Sequence, residues 1–380
     1  MKILHTADLH LGRQFNGMSL ENDHQEILSQ IVDAITKYRP EVFIIAGDIF
    51  DRASPPNSAV KQFNAFLTRV ANETTAAVVM IAGNHDSGDR IGSMSIMTDA
   101  TRALIQGPIE VDASPLVLKD VHGTVAFSAL PFAYEYAARE CFGDEAIATP
   151  EDVLNAQISA ARAQLPEGSR WVVVAHAFVA GATGSESERP LARVGGIETV
   201  HTKLFEGAHY VALGHIHRPQ FVELEHIRYA GAPLAFGFDE TGESKSMSFI
   251  DLDADGIATI STIPFVPLRR VQVLRGKLAE LVLAEPSSDF VKAVLTDEVP
   301  LIDPMKRLRE VFPNACQLTY ARDEQTPEAK HVLREQIEIN NPVQVTGDFL
   351  QYVREQRQSE EELALITSAL HDLGIEERVT

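Results

Sequence analysis

Five short apolar runs in the first 217 residues are each followed by residues that can bind a metal ion. They end in the groups Asp8-Leu9-His10, Gly47-Asp48, Gly83-Asn84-His85, His176 and Gly214-His215-Ile216-His217. Taken singly, each group also fits a turn, a helix cap or a buried polar side chain. Open α/β sheets build their sites at the carboxyl ends of their strands, so five groups in succession favour one shared site.

The apolar periodicity of the first two thirds of the chain predicts an α/β fold. Predicted strands at 2–6, 42–46, 77–82, 171–175 and 211–213 alternate with predicted helices at 27–35, 60–70, 95–105 and 151–164. Further β segments are predicted at 116–118 and 124–130, and others continue to about residue 266. Residues 179–199 are rich in Gly, Ser, Glu and Arg and are predicted to form a long exposed loop.

The pattern restarts after Pro267, which predicts a second, small α/β domain. A strand, helix, strand, helix and strand are predicted at 270–274, 277–284, 290–295, 305–311 and 317–321. The predicted boundaries are 1–266 for the main domain, 267–325 for the small domain and 326–380 for a helical, acidic tail. The apolar residues of the tail fit either a helix packed on its own domain or a helix that docks on a partner.

The residue types at the five strand ends suit hard or borderline divalent cations. Asp, His and Asn supply oxygen and nitrogen ligands, whereas no thiolate stands among them. Seven ligands exceed what one tetrahedral ion needs, but they suit two ions that share a bridging carboxylate. Asp48 is the best candidate for the bridge because it is a lone carboxylate on a central strand. Two such ions can hold a phosphodiester and activate water.

The same residues resemble a known family. Asp8-x-His10, Gly47-Asp48, Gly83-Asn84-His85-Asp86, His176 and Gly214-His215-x-His217 match the calcineurin-like metallophosphoesterase pattern. Longer stretches at 5–12, 45–51, 212–218, 229–233 and 238–240 are similar to the SbcD family of bacterial nuclease subunits. The resemblance is strong over about 1–265. It implies an αββα sandwich with a small α/β capping domain and a helical C-terminal tail.

The resemblance also implies a division of roles among the site residues. One metal ion would be bound by Asp8, His10, Asp48 and His217, and the other by Asp48, Asn84, His176 and His215. His85 would bind no metal but would face the scissile phosphate and aid departure of the leaving oxygen, as an imidazole acid can. The two divalent ions would be Mn²⁺, with Fe or Mg as alternatives.

The implied activity is Mn-dependent hydrolysis of DNA by a 3′–5′ double-strand exonuclease and a single-strand and hairpin endonuclease. The implied partner is an SbcC-type ABC ATPase with a long coiled coil, with roles in DNA repair, recombination and replication. Family members pair as homodimers within a heterotetramer. Helices near 57–72 and 95–106 are the candidates for that pairing, although both also fit ordinary core helices.

Asp51 departs from the pattern of archaeal and eukaryotic relatives, which commonly carry a second histidine near this position. As a result, its role stays open. Its carboxylate could orient a histidine or the attacking water, or it could cap the following turn.

Charge and cysteine content limit the remaining function classes. With a formal charge of −21, the chain as a whole lacks the basic surface that is usual in proteins that hold nucleic acid unaided. A polyanionic substrate would therefore depend on metal ions, local basic patches or a partner. Two distant cysteines and the lack of a signal peptide or membrane span predict a cytoplasmic protein. A small-molecule phosphoesterase remains the alternative, and a scaffold without activity is disfavoured because every ligand is present.

Overall fold

Strand Val42–Ala46 is buried along its whole length, and its side chains enter two different apolar clusters. Val42 and Ile44 pack in one cluster, whereas Phe43 and Ile45 pack in another. Because successive side chains of a strand point to opposite faces, the sheet that contains it is covered on both sides. The structure is a computed structural model, and it describes residues 1–96, 99–188, 192–193, 196–197, 199–324, 359, 362–365 and 367–368.

The described strands are β1 (Lys2–Thr6), β2 (Gln14–Phe15), β3 (Met18–Ser19), β4 (Val42–Ala46), β5 (Ala77–Ile81), β6 (Ala103–Gln106), β7 (Leu116–Asp120), β8 (Gly123–Leu130), β9 (Arg170–His176), β10 (Ala192–Arg193), β11 (Gly196–Ile197), β12 (Tyr210–Gly214), β13 (Gln220–Val222), β14 (Leu224–Tyr229), β15 (Ser246–Leu252), β16 (Ala258–Pro264), β17 (Val271–Gly276), β18 (Phe290–Leu295) and β19 (Ala315–Tyr320). The described α-helices are α1 (Glu21–Tyr38), α2 (Asn57–Glu73), α3 (Gly88–Gly92), α4 (Glu135–Phe142), α5 (Pro150–Ala163), α6 (Leu278–Leu281) and α7 (Pro304–Val311).

Two six-stranded sheets form the centre of the fold. The first has the order β16-β15-β1-β4-β5-β6, and the second has the order β13-β14-β12-β9-β8-β7. Strands β1, β4 and β5 are parallel neighbours in the first sheet, and β9 and β12 are parallel neighbours in the second. The five polar groups identified in the sequence lie at the carboxyl ends of these five strands.

The layers form the predicted αββα sandwich. One cluster lies between the sheets and joins Ile44 of β4 to Val174 of β9 and Ala212 of β12. On the outer face of the first sheet, α1 and α2 supply apolar residues to the cluster that contains Phe43. On the outer face of the second sheet, Leu154 and Ile158 of α5 pack with Val173 and Val211.

A three-stranded sheet has the order β17-β18-β19, and the helices α6 and α7 lie between its strands in the chain. The chain divides into two compact units, one made of Met1–Val294 and Leu301–Leu318, and the other of Leu295–Pro300 and Thr319–Thr380. Within the first unit, Arg269 pairs with buried Asp23 of α1, and its guanidinium lies 4.4 Å from the ring centroid of Phe290. Phe290 in turn lies 4.7 Å from Phe15 between ring centroids.

The predicted helix at 95–105 is wrong. A 3₁₀ turn at Ser93–Ser95 follows α3, and β6 occupies Ala103–Gln106. The reason is tertiary, because the short apolar run at 103–105 adds to the free edge of β5, where Val78 pairs with Ala103 and Ile81 with Gln106. Consequently, the described residues of this stretch, 95–96 and 99–105, form no α-helix that could pair with a second copy, while the candidate helix near 57–72 is present as α2.

Other predictions are confirmed closely or fall outside the described residues. Strands 2–6, 42–46 and 290–295 have the predicted bounds, and α4 is a helix that the sequence patterns missed. Within the predicted loop 179–199, the described residues contain only the short pair β10 and β11 and a bridge between Val179 and Val200. Most of the predicted tail, 326–380, lies outside the described residues, but 362–365 and 367–368 are helical as predicted. None of the described helices is both long and apolar enough to span a bilayer.

Candidate metal centre

The loops that follow β1 and β4 run side by side and bring the first predicted ligands together. The main-chain N of Asp8 donates to Gly47 O at 3.1 Å, and that of His10 donates to Asp48 O at 3.0 Å. These two hydrogen bonds continue the parallel pairing of the strands for two residues beyond the sheet. The main chain at Asp8, His10 and Asp48 is therefore held by hydrogen bonds that extend the pairing of β1 with β4.

One group of predicted ligands gathers around the side-chain oxygen of Asn84. His176 Nε2 and His215 Nδ1 each lie 3.0 Å from Asn84 Oδ1. His176 Nε2 also lies 3.5 Å from Asp48 Oδ2. This group is the set that the resemblance assigns to the second metal ion.

A second group gathers on the other side of Asp48. His10 Nε2 lies 3.1 Å from His217 Nε2 and 3.6 Å from Asp48 Oδ2. Asp8 stands between the two groups, because its carboxylate oxygens accept hydrogen bonds from His215 N at 2.9 and 3.1 Å, and Oδ1 lies 4.0 Å from His176 Nδ1. The structure thus brings all seven predicted ligands into one cluster around Asp48, and all of them except the half-buried Asn84 are buried.

Four of these residues adopt a backbone conformation that L-residues avoid. The φ angles of Asp8, His10, Asp48 and His215 are 54°, 46°, 49° and 105°. Non-glycine residues rarely have positive φ, and where they do, the surrounding structure imposes it, often at functional sites. Here the sharp turns after the strands direct the side chains back across the ends of the sheets.

Gly83 is required by the close approach of the Asp48 side chain. A Cβ atom at Gly83 would lie 2.2 Å from Asp48 Oδ1 and 2.3 Å from Asp48 N. Any side chain at this position would displace the central carboxylate. Gly83 therefore leaves space for the side chain of Asp48, which lies next to both groups of ligands.

His85 is held next to Asp48 by its main chain and next to Asp51 by its ring. Its main-chain N donates to Asp48 Oδ1 at 2.8 Å, and its Nδ1 lies 2.8 Å from Asp51 O. A carbonyl oxygen only accepts, so Nδ1 carries a proton and Nε2 is the atom left to face the centre. His85 Nε2 is 4.0 Å from Asp48 Oδ2.

The carboxylate of Asp51 lies against His10. Its Oδ1 is 3.7 Å from His10 Nδ1 and 3.6 Å from Arg13 Nη1. With its carbonyl oxygen it fixes the ring of His85. The carboxylate of Asp51 could therefore orient His10, and it also faces a cation, Arg13, that sequence patterns did not single out.

The electrostatics of the cluster favour a cation. Burial raises the pKa of the Asp48 carboxyl, but His176, His10 and His85 more than offset this and hold the pKa well below its usual range. Burial likewise lowers the pKa of His176, whereas Asp48 and Asp8 raise it to about 9. Nδ1 of His176 donates to Ala46 O at 2.9 Å, which leaves Nε2 for a second proton or for a metal ion.

Asp86 is a site residue to which the sequence patterns assigned no role. Its carboxylate accepts hydrogen bonds from the main-chain N atoms of Gly83, Ile49 and Phe50 at 3.0, 3.0 and 2.9 Å. Burial and the nearby charge of Asp48 raise its pKa to about 7. Through these hydrogen bonds, Asp86 connects the loop after β5 to the loop after β4. Its position directly after His85 is the sequence feature that could have indicated a role for it.

The donor set fits divalent cations of the kind that Asp, His and Asn bind. Ligand atoms of Asp8, Asp48 and His176 all lie within 4.8 Å of one another, and so do those of His10, Asp51 and His85. Nitrogen and oxygen atoms without thiolate suit Mn, Fe, Zn or Mg. Burial lowers the pKa of His10 and of His215, so both rings are unprotonated at neutral pH, whereas burial raises the pKa of the Asp8 carboxyl.

Comparison with known proteins gives the class to which this centre belongs. Residues 1–219 match the family model described as calcineurin-like phosphoesterase, and the chain belongs to that family. Residues 264–354 match a second model, SbcD_C, described as the type 5 capsule protein repressor C-terminal domain.

Two curated relatives show which members of the family the chain is similar to. A protein of Staphylococcus saprophyticus, named as the D component of the nuclease SbcCD, is 32% identical over 323 residues, which are 84% of each chain. The protein of the same name from Staphylococcus epidermidis is 29% identical over 336 residues, covering 87% of this chain and 88% of the relative. The metallophosphoesterase class that the strand-end residues predicted is thereby confirmed.

Proposed function

We propose that this chain is the nuclease component of a two-component DNA-processing complex and that it hydrolyses phosphodiesters with two Mn²⁺ ions. The observation that carries the proposal is the convergence of seven nitrogen and oxygen ligands on Asp48 in a family of phosphoesterases. Fe or Mg are the alternative metals. Two ions in such a centre would hold the phosphodiester and lower the pKa of water.

The proposed roles of the residues are those that the family resemblance implies. Asp8, His10, Asp48 and His217 would hold one ion, and Asp48, Asn84, His176 and His215 the other. Nδ1 of His176 is satisfied by Ala46 O, so this ring offers Nε2 alone. His85 would act on the leaving oxygen through Nε2, because its Nδ1 is held by Asp51 O.

DNA is the proposed substrate because of the named relatives and the second matched domain. Both relatives are named as a component of a nuclease. We therefore infer cleavage of DNA ends and hairpins, as a 3′–5′ exonuclease and an endonuclease, together with an SbcC-type ATPase. A homodimer within a heterotetramer is the proposed assembly. The small domain would cap the site, and the tail would dock on the coiled coil.

The acidity of the chain is consistent with a dependence on cations and a partner. At a formal charge of −21, the isolated chain should bind duplex DNA weakly and with a strong salt dependence. Tight binding by the isolated chain at physiological salt would contradict this part of the proposal.

A cleavage assay separates the nuclease from a small-molecule phosphoesterase. The full chain is incubated with linear duplex and hairpin DNA in Mn²⁺, with and without an SbcC-type ATPase, and in parallel with a small phosphodiester. We expect DNA products that require Mn²⁺ and that Asp48→Asn abolishes. Absence of DNA cleavage in both conditions, with rapid turnover of the small ester, would favour the alternative.

A further inference from the structure

His217 is held by side chains from two distant segments of the chain. Ser187 Oγ lies 2.6 Å from His217 Nδ1, and Glu188 Oε1 accepts a hydrogen bond from His217 N at 2.7 Å. Lys245 Nζ donates to His217 O at 3.0 Å. The ring and both main-chain polar atoms of this residue are therefore each fixed by a side chain.

Glu240 sets the direction of these hydrogen bonds. It is 1% exposed, forms an ion pair with buried Lys245, and lies with Oε1 2.9 Å from Ser187 Oγ. A carboxylate paired with a lysine only accepts, so the Ser187 hydroxyl donates to Glu240. Its oxygen is then free to accept from Nδ1–H of His217, which leaves the lone pair on Nε2.

We propose that Ser187 and Glu240 are positioning residues for the cation bound through His217. They act on the metal only through the imidazole, by fixing its tautomer and the direction of Nε2. Ligating histidines commonly donate their other ring N–H in this way, and loss of that partner lowers metal affinity. The inference rests on the proposed function in one respect, which is that His217 is a metal ligand.

The hydroxyl of Ser187 can be removed without releasing the loop that carries it. Arg13 Nη2 donates to Ser187 O at 3.0 Å, and Glu188 is bound to His217 N. Both contacts involve atoms that a Ser187→Ala substitution keeps. The variant therefore isolates the hydrogen bond to the ring from the placement of the backbone.

The test measures metal affinity rather than cleavage. Metal-free full-length wild type and Ser187→Ala are titrated with Mn²⁺ by calorimetry, with free Mn²⁺ followed by electron paramagnetic resonance. We expect two binding events in the wild type, one of them weakened about 10- to 100-fold in Ser187→Ala and the other unchanged. Ser187→Thr, which keeps a hydroxyl, should restore the affinity.

Ser128→Ala is the matched control because it also removes a hydrogen-bonded hydroxyl, one that accepts a hydrogen bond from Trp171 Nε1 at 3.0 Å. It should lower stability without changing either Mn²⁺ affinity. Wild-type affinities in Ser187→Ala, or an equal loss in Ser128→Ala, would overturn the inference while the proposed function stands. A wild type that binds no Mn²⁺ would overturn both.

Discussion

The Nε2 atoms of His10 and His217 lie 3.1 Å apart, although 207 positions separate the two residues. His10 follows a strand of the first sheet, and His217 follows a strand of the second. Burial lowers the pKa of both rings well below the usual value, so both are neutral near pH 7. A pair of neutral imidazoles facing each other at this distance can share a cation, which would link the two sheets.

Metal addition should therefore stabilise the fold. A ligand that binds only the folded state adds about 2.7 kcal/mol at 100 times its dissociation constant. We expect thermal unfolding, followed by circular dichroism, to occur at a higher temperature in Mn²⁺ than in EDTA. A double variant, His10→Ala with His217→Ala, should show a smaller shift, and an unchanged melting temperature in the wild type would contradict a metal site.

His85→Ala should separate catalysis from metal binding. His85 contributes its main-chain N to Asp48 and no ring atom to the Asn84 group, so both Mn²⁺ ions should still bind. Loss of an acid at the leaving oxygen should lower the cleavage rate about 10²- to 10⁴-fold. The comparison is His122→Ala, an exposed histidine in the turn between β7 and β8. Full activity of His85→Ala would rule out the proposed role.

The ion pair between Asp23 and Arg269 should stabilise the chain far more than an exposed pair does. Asp23 is 1% exposed and Arg269 17%, so removing the carboxylate leaves a largely buried cation without its partner. We expect Asp23→Ala to lower the unfolding free energy by about 3 kcal/mol in urea titrations. Glu73→Ala, which breaks the exposed pair with Arg69, should cost under about 1 kcal/mol. Equal losses of unfolding free energy in Asp23→Ala and Glu73→Ala would show that burial does not determine how much an ion pair stabilises this chain.

His24 should make stability depend on pH. Burial lowers its pKa from 6.5 to about 4, against the opposing charge of Asp23, while Arg13 lowers it further. The pKa of His24 is lower in the folded chain than in the unfolded chain. The contribution of His24 to the unfolding free energy is therefore complete above pH 6.5 and is lost as the pH falls towards 4. When the pH is lowered from 7 to 5, the unfolding free energy of the wild type should fall by about 2 kcal/mol more than that of His24→Leu. An equal loss in His24→Leu and in the wild type would contradict this role of His24.

The sequence predicted which polar residues come together because their signal is local. Each ligand directly follows an apolar strand, and parallel pairing then brings strand ends together, as for Asp8 beside Gly47. The site's outer layer could not be predicted in this way. Ser187 lies 30 positions from His217 and 53 positions from Glu240 in the chain, with no periodicity to link the three residues.

The fold was predictable where periodicity and tertiary pairing agree. The run at 103–105 is too short to show whether its apolar residues belong to a helix or a strand, and the free edge of β5 decided the outcome. Helix α4 was missed because its eight residues include only a few buried positions, such as Ala138.

The left-handed backbone at Asp8, His10, Asp48 and His215 has an evolutionary consequence. Each such residue costs about 1–3 kcal/mol relative to an unstrained one, and glycine would relieve most of that cost. A mutation that destroys the centre could thus make the chain more stable. Selection for folding alone would therefore not retain these four side chains, so their joint presence in one sequence indicates continued selection for what they do.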